Sequence, residues 1–167
     1  LVSEGFAVAG INYRLLDQAS WPSQINDCYE AVRWIRRNAD RYQLNADRVV
    51  AWGGSAGGHL AALMGTRVCP DPETTSSRVQ AVIDWYGPTD LLTMPPNVVT
   101  ETRSLEQVSK SNGARLLGAA VMTVPELAKD ASALYQVSAD DCPVLIMHGD
   151  QDKGVPIEQS IRFHDAL

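Results

Sequence analysis

One serine is surrounded by residues that would suit it for nucleophilic chemistry. Ser55 is the centre of the sequence Gly53-Gly54-Ser55-Ala56-Gly57, which has the Gly-x-Ser-x-Gly pattern of a nucleophile elbow. In an elbow the serine occupies a tight turn where a strand and a helix converge, so small residues are needed on either side. We expect Gly53 and Gly57 to supply that space and the strained turn to expose the Ser55 hydroxyl. The alternative is a glycine-rich turn whose serine has no chemical role.

A serine hydroxyl becomes a useful nucleophile only with a histidine base that a carboxylate orients. On an elbow architecture these groups follow in the order serine, acid, histidine, and Ser55 and Asp152 fit that order. The backbone N–H of Ala56, directly after the serine, is the expected first donor of an oxyanion hole. Three further aspartates lie just past or close to predicted strand ends and are alternative acids: Asp84, Asp90 and Asp150.

None of the three histidines is well placed as the base. His59 lies one turn into the helix after the elbow, and His148 belongs to the last predicted strand. We expect both to be structural residues that make hydrogen bonds. His164 is the only histidine after Asp152, but it falls inside a predicted helix rather than on a loop that could reach the serine. The base is therefore expected outside this segment.

Strands and helices alternate along the chain and must position these groups. Short apolar runs predict strands over Phe6–Ile11, Val49–Trp52, Val79–Tyr86 and Val144–His148. Apolar spacing, small residues and proline starts predict helices over 22–38, 56–64, 114–122, 126–134 and 156–167. We expect Leu1–Gly5 to be a last helical turn capped by its glycine, Gly65 to end the helix after the elbow, and Val68–Arg78 to be a loop.

This alternation predicts an α/β fold with a mostly parallel sheet covered by helices on both faces. In such sheets reacting groups collect at the carboxyl ends of the strands. The length of 167 residues fits a single domain. Within it, residues 89–134 form a candidate lid or substrate-binding excursion, because 89–110 is polar and lacks clear periodicity. A solvated connection is the alternative.

Composition narrows the class of partner. The formal charge of −6 and the lack of a basic stripe argue against nucleic acid or an anionic membrane surface, and favour a small neutral substrate. No apolar run is long enough to cross a bilayer. The three cysteines, Cys28, Cys69 and Cys142, are widely spaced without a Cys-x-x-Cys pair, so neither zinc nor a disulfide framework is indicated. We expect no metal and no cofactor, and compartment and oligomeric state stay open.

A second pattern, His148-Gly149-x-x-Asp152-x-x-Val155-Pro156, follows the elbow at a plausible distance. With these two patterns the chain resembles the α/β-hydrolase superfamily, within it the esterase and lipase group around hormone-sensitive lipase and the bacterial feruloyl and acetyl esterase type domains. The similar segments span nearly the whole chain and are 5–8, 12–15, 27–34, 53–60, 86–90 and 148–156.

The resemblance implies a serine hydrolase of carboxylic esters that forms an acyl-enzyme on Ser55, with Asp152 as the triad acid. It also implies that the His-Gly-Gly oxyanion motif lies before Leu1 and the catalytic histidine after Leu167, so that this internal segment alone would be a poor catalyst. Two alternatives remain: a serine peptidase similar to prolyl oligopeptidase, and a non-catalytic member of the fold that binds a small molecule.

Overall fold

The computed structural model describes residues 1–69 and 75–167. Its described strands form one parallel sheet in the order β1 (Val50–Gly54), β2 (Ala81–Trp85) and β3 (Val144–Met147). Because the strands are parallel and in register, with Gly53 opposite Asp84, their carboxyl ends lie along one edge. Three of the four predicted strands are thus confirmed.

Seven α-helices are found in the described residues. They are α1 (Ser23–Arg37), α2 (Ala39–Tyr42), α3 (Ala56–Thr66), α4 (Leu105–Val108), α5 (Asn112–Leu117), α6 (Pro125–Asp130) and α7 (Glu158–Ala166). Short 3₁₀ turns cover Val2–Glu4, Pro95–Asn97, Val121–Thr123 and Ala133–Tyr135. The predicted helix over 22–38 corresponds to α1, which buries the expected apolar positions Ile25, Cys28, Tyr29 and Val32.

Helix α3 forms the centre of the core and packs against both β1 and β2. It continues to Thr66, so the predicted end at Gly65 is wrong. A Cβ at Gly65 would lie 2.7 Å from Cγ2 of Val82 on β2. The glycine is needed because the helix lies close to the sheet, and it does not mark the end of the helix.

The N-terminal segment differs from its prediction. Phe6–Ile11 forms no strand, and Phe6 and Val8 are 57% and 63% exposed. An apolar run becomes a strand only when a neighbouring strand accepts its backbone hydrogen bonds, and in the described part of the chain none pairs with it. The expected turn before it is confirmed as the 3₁₀ turn Val2–Glu4, ended by Gly5 at φ +83°.

The two faces of the sheet differ in their surroundings. Val82 and Asp84 of β2 point to the side of α3 and are buried, whereas Trp52, Leu145 and Met147 on the opposite face are about half exposed. The α/β class is confirmed, and the described helices cover one of the two faces. Residues 70–74 of the predicted loop Val68–Arg78 lie outside the described part of the chain, and its other residues form neither helix nor strand.

The excursion over residues 89–134 is more ordered than its polar composition suggests. Its helices α4, α5 and α6 bury Val108, Leu117 and Ala128. Ser104 starts α4 with a capping box that includes Gln107, which offsets the short length of this helix. In the described residues, no helix has the length and apolar character that crossing a membrane requires.

Candidate active site

Ser55 lies between the end of β1 and the start of α3, at φ +53° and ψ −119°. A positive φ is strained for a residue with a Cβ and costs on the order of 1–3 kcal/mol. The Ser55 N–H donates to the carbonyl of Trp85 at 2.9 Å, which ties the turn to the end of the neighbouring strand. The residue is exposed. This is the geometry that the sequence predicted for the elbow.

The glycines around the elbow have different roles. A Cβ on Gly53 would come within 2.2 Å of the carbonyl carbon and oxygen of Gly57, so the predicted need for glycine at position 53 is confirmed. The prediction for Gly57 itself is wrong, because a Cβ there would meet nothing within 4 Å. The second close approach is at Gly58, where a Cβ would lie 2.4 Å from Oδ1 of Asp84.

The backbone N–H of Ala56 is available for a ligand. Ala56 is the first residue of α3, so its N–H has no acceptor one turn earlier in the helix. The start of an eleven-residue helix also carries a partial positive charge. Together these features favour a developing negative charge beside Ser55.

A cavity of about 590 Å³ lies directly beside the elbow. Ser55 and Ala56 form part of its wall, and Gly154 and Val155 of the loop after β3 form another part. Much of the lining is apolar, and part of it comes from two further segments, of which the sequence suggested a binding role only for the excursion. These are the turn Tyr13–Asp17 and the excursion, which contributes Leu91, Met94, Asn97, Asn112 and Leu116.

The Asp152 carboxylate is held by its own loop. Its Oδ1 accepts hydrogen bonds from the N–H groups of Gly154 at 2.7 Å and Val155 at 3.0 Å. These bonds, the one from Val155 first, lower the pKa of Asp152 below its ordinary value. Its Oδ2 accepts no hydrogen bond from the described residues and remains free for a partner. Ser55 and the Asp152 loop thus border one cavity, although no hydrogen bond joins them.

The three alternative acids have other surroundings. Asp84 is completely buried against the backbone of α3, and burial raises its pKa despite a 2.9 Å hydrogen bond from the Gly87 N–H. Asp90 is also completely buried and pairs with Arg162 at 2.7 Å. Asp150 is exposed, and its side chain makes no hydrogen bond to the described residues. These surroundings favour Asp152.

The histidines occupy the structural positions that we expected for two of them. Nδ1 of His59 lies 2.8 Å from the carbonyl of Pro88, and burial lowers the pKa of this histidine. His148 uses both ring nitrogens, Nδ1 with Ser160 Oγ at 2.7 Å and Nε2 with the carbonyl of Val155 at 2.8 Å. His164 is exposed on α7 beside Asp165. Ser55 makes no side-chain hydrogen bond to any of the three.

The described residues contain no group of three or more His, Cys, Asp or Glu side chains that could hold a metal ion. The three cysteines form no disulfide bond among the described residues. The arrangement around Ser55 combines an exposed hydroxyl, a helix N-terminus and, at another part of the same cavity wall, the loop that carries the Asp152 carboxylate.

Two features of the site went unnoticed in the sequence. The sequence contained one indication that Tyr13–Asp17 could contribute to the cavity. These residues begin in a polar turn directly after an apolar run that predicts a strand. The contact between Asp84 and Gly58 had none, because it depends on how closely α3 approaches β2.

Several known proteins with a similar sequence or structure are ester hydrolases by name. The chain is 32% identical to the probable carboxylic ester hydrolase LipM of Mycobacterium tuberculosis, over all of this chain and 38% of that protein. It is 31% identical to the esterase LipC of the same organism, over all of this chain and 41% of LipC. The chain therefore spans about two fifths of the length of these relatives.

Solved structures give the same result. A truncated carbohydrate esterase from gut microbiota superposes with a TM-score of 0.81 at 31% identity, covering 94% of this chain and 59% of the other. An esterase of the Planctomycetes species Thermogutta terrifontis superposes with a TM-score of 0.68 at 27% identity, covering 93% and 52%. The BD-FAE family matches residues 1–167. The chain therefore belongs to the BD-FAE family of α/β-hydrolase esterases.

Proposed function

We propose that the protein hydrolyses carboxylic esters of small molecules through an acyl-enzyme on Ser55. The observation that carries this proposal is the position of Ser55, a strained and exposed residue at the wall of the cavity and directly before the N-terminus of α3. The esterase names of the relatives favour an ester over a peptide substrate.

In the proposed reaction Ser55 Oγ attacks the ester carbonyl carbon and its proton passes to a histidine base. The carbonyl oxygen becomes negatively charged beside the Ala56 N–H, which stabilises it. When the intermediate collapses, the carbon–oxygen bond to the alcohol breaks and the base returns the proton to that oxygen. Water then repeats the sequence on the acyl-enzyme and releases the acid.

Asp152 is proposed as the acid that orients the base. Its free Oδ2 could accept the N–H of an imidazole, and the two hydrogen bonds to Oδ1 favour the ionised form. The base itself is proposed to be a histidine outside residues 1–167, because His59 and His148 have other partners and His164 is exposed on α7 beside Asp165. A second oxyanion donor is proposed to lie outside these residues as well.

The excursion is proposed to form the substrate-binding wall. Leu91, Met94 and Leu116 give this wall an apolar surface, which suits the hydrocarbon part of an ester.

The test is hydrolysis of 4-nitrophenyl acetate and of a peptide 4-nitroanilide by the full-length protein and its Ser55→Ala variant. The proposal predicts turnover of the ester that is lost in the variant, with little turnover of the anilide. Ester turnover that survives in Ser55→Ala would contradict it.

A further inference from the structure

We propose that His148 is a positioning residue, which holds the Asp152 carboxylate in place for the base by binding the backbone carbonyl of Val155. This inference rests on the proposed function, because it takes Asp152 as the triad acid. It assigns to His148 a role in the reaction without contact with the substrate.

The Asp152 turn needs support from outside its own loop. Oδ1 of Asp152 accepts the Val155 N–H at 3.0 Å, so the position of the carboxylate depends on the position of the Val155 backbone. The loop before Val155 has little packing of its own, since Gly149, Lys153 and Gly154 are exposed. Val155 itself is buried.

His148 provides that support. Its Nε2 lies 2.8 Å from the Val155 carbonyl. A carbonyl oxygen can only accept a hydrogen bond, so Nε2 carries the proton. In the neutral ring Nδ1 is then an acceptor, and it takes the hydroxyl proton of Ser160 at 2.7 Å. These bonds determine both the tautomer and the orientation of the ring.

The ring is anchored to rigid elements. His148 directly follows β3, its side chain is only 3% exposed, and Ser160 is a buried residue of α7. The backbone of Val155 is thus bound at two points, its carbonyl by His148 and its N–H by Asp152. A change at residue 148 would therefore release Val155 and, with it, the carboxylate.

A direct bond between the two side chains does not explain the arrangement. His148 Nε2 is 3.7 Å from Asp152 Oδ2, which is too long for a hydrogen bond, and its proton is donated to Val155 instead. Oδ2 therefore stays available for the base. His148 acts through the backbone of Val155, and it leaves Oδ2 of Asp152 free for the base.

Two substitutions of similar size separate this role from simple packing. In His148→Gln the terminal amide can place an N–H near the position of Nε2 and can still donate to Val155. In His148→Asn the amide reaches only about as far as Nδ1. We expect His148→Asn to lower kcat roughly 10²-fold with little change in KM, and His148→Gln to restore most of it. Equal kcat losses in both folded variants would overturn the inference.

A double-mutant comparison in the full-length protein gives the second readout. In the Asp152→Asn background, His148→Asn should cause little further loss of kcat, because the carboxylate that it positions is already absent. Active-site titration corrects each rate for misfolded protein. If His148→Asn does not fold, Ser160→Ala replaces it in the same comparison, because Ser160 holds the His148 ring. We expect Ser160→Ala to lower kcat several-fold.

The outcomes distinguish this inference from the proposed function. Losses that simply multiply in the double variant would overturn the role of His148 and leave Asp152 as the acid. An unchanged kcat in Asp152→Asn alone would overturn the assignment of the acid and the inference together. A loss in His148→Asn that disappears in the Asp152→Asn background supports both.

Discussion

Gly53 and Gly57 meet backbone to backbone at the elbow, where a Cβ on Gly53 would lie 2.2 Å from the Gly57 carbonyl carbon. Ala at position 53 therefore forces β1 and α3 apart. We expect Gly53→Ala to lower the free energy of unfolding by about 3 kcal/mol or more. Urea denaturation followed by circular dichroism measures this change.

Gly57→Ala is the matched control for that substitution. The added methyl meets no atom within 4 Å, and alanine is favoured over glycine in a helix by roughly 0.5–1 kcal/mol. We expect a stability equal to or above that of the wild type. Similar losses in both variants would show that the close approach at Gly53 is not what requires glycine.

Asp152 and Asp150 are separated by a single residue, but substituting them should have very different effects on kcat. Asp152→Asn is expected to lower kcat about 10⁴-fold, because the base then loses its orienting carboxylate. Asp150→Asn should change kcat by a few-fold at most, since its side chain is exposed and makes no hydrogen bond to the described residues. Steady-state kinetics on a nitrophenyl ester measures both. The reverse ranking would reassign the acid to Asp150.

His59 should make stability depend on pH. Burial lowers its pKa in the folded state below its value of about 6.5 in the unfolded chain. The unfolded chain therefore binds the proton first. The contribution of the buried, neutral His59 to the free energy of unfolding is complete above pH ~6.5. It is lost as the pH falls through the lower pKa that His59 has in the folded state.

His59→Asn tests this dependence, because an asparagine amide can still donate to the Pro88 carbonyl without titrating. Chemical denaturation between pH 8 and 5 should show a smaller loss of stability in His59→Asn than in the wild type. If the free energy of unfolding fell with pH equally in the two proteins, His59 would not be the source of the pH dependence.

Gln159 joins α7 to the start of the excursion. Its Oε1 accepts the N–H groups of Thr89 at 2.9 Å and Asp90 at 2.7 Å, and it is 3% exposed. Gln159→Ala leaves both N–H donors buried without this acceptor, so we expect the free energy of unfolding to fall by about 2–4 kcal/mol.

Gln136→Ala is the control, because Gln136 is half-buried and its side chain makes a single hydrogen bond to the described residues, from Nε2 to the Lys129 carbonyl. We expect Gln136→Ala to lower the free energy of unfolding by about 1 kcal/mol. Equal melting temperatures for Gln159→Ala and the wild type would show that these bonds do not stabilise the excursion.

Sequence patterns predicted those strands and helices that can be recognised from their own residues. Val144–Met147 and Val50–Gly54 are short runs of mainly apolar residues beside glycine or proline, and such runs are typical of buried strands. Phe6–Ile11 carries the same signal but forms no strand, because strand formation also depends on a neighbour that the run itself does not specify. Gly65 was misassigned for a related reason, since its role depends on the distance between α3 and Val82.

The candidate site was predictable in part. Ser55 and Asp152 belong to short motifs whose residue types indicate their chemistry, and the structure places Ser55 and the Asp152 loop at one cavity. The hydrogen bond between His148 and Val155 could not be predicted from these motifs. The residues of the excursion that line the cavity reach it only through tertiary packing, as the bonds of Gln159 to Thr89 and Asp90, some 70 positions away, illustrate.

Covalent labelling of Ser55 by a fluorophosphonate probe tests the central claim most directly. An activated serine displaces fluoride and forms one bond to phosphorus, which intact-mass spectrometry detects as a single adduct. We predict that the full-length protein takes up one probe, that peptide mapping places it on Ser55, and that Ser55→Ala takes up none while the exposed control Ser20→Ala is labelled normally. Folded protein that remains unlabelled, or an adduct on another residue, would contradict the assignment of Ser55 as the nucleophile.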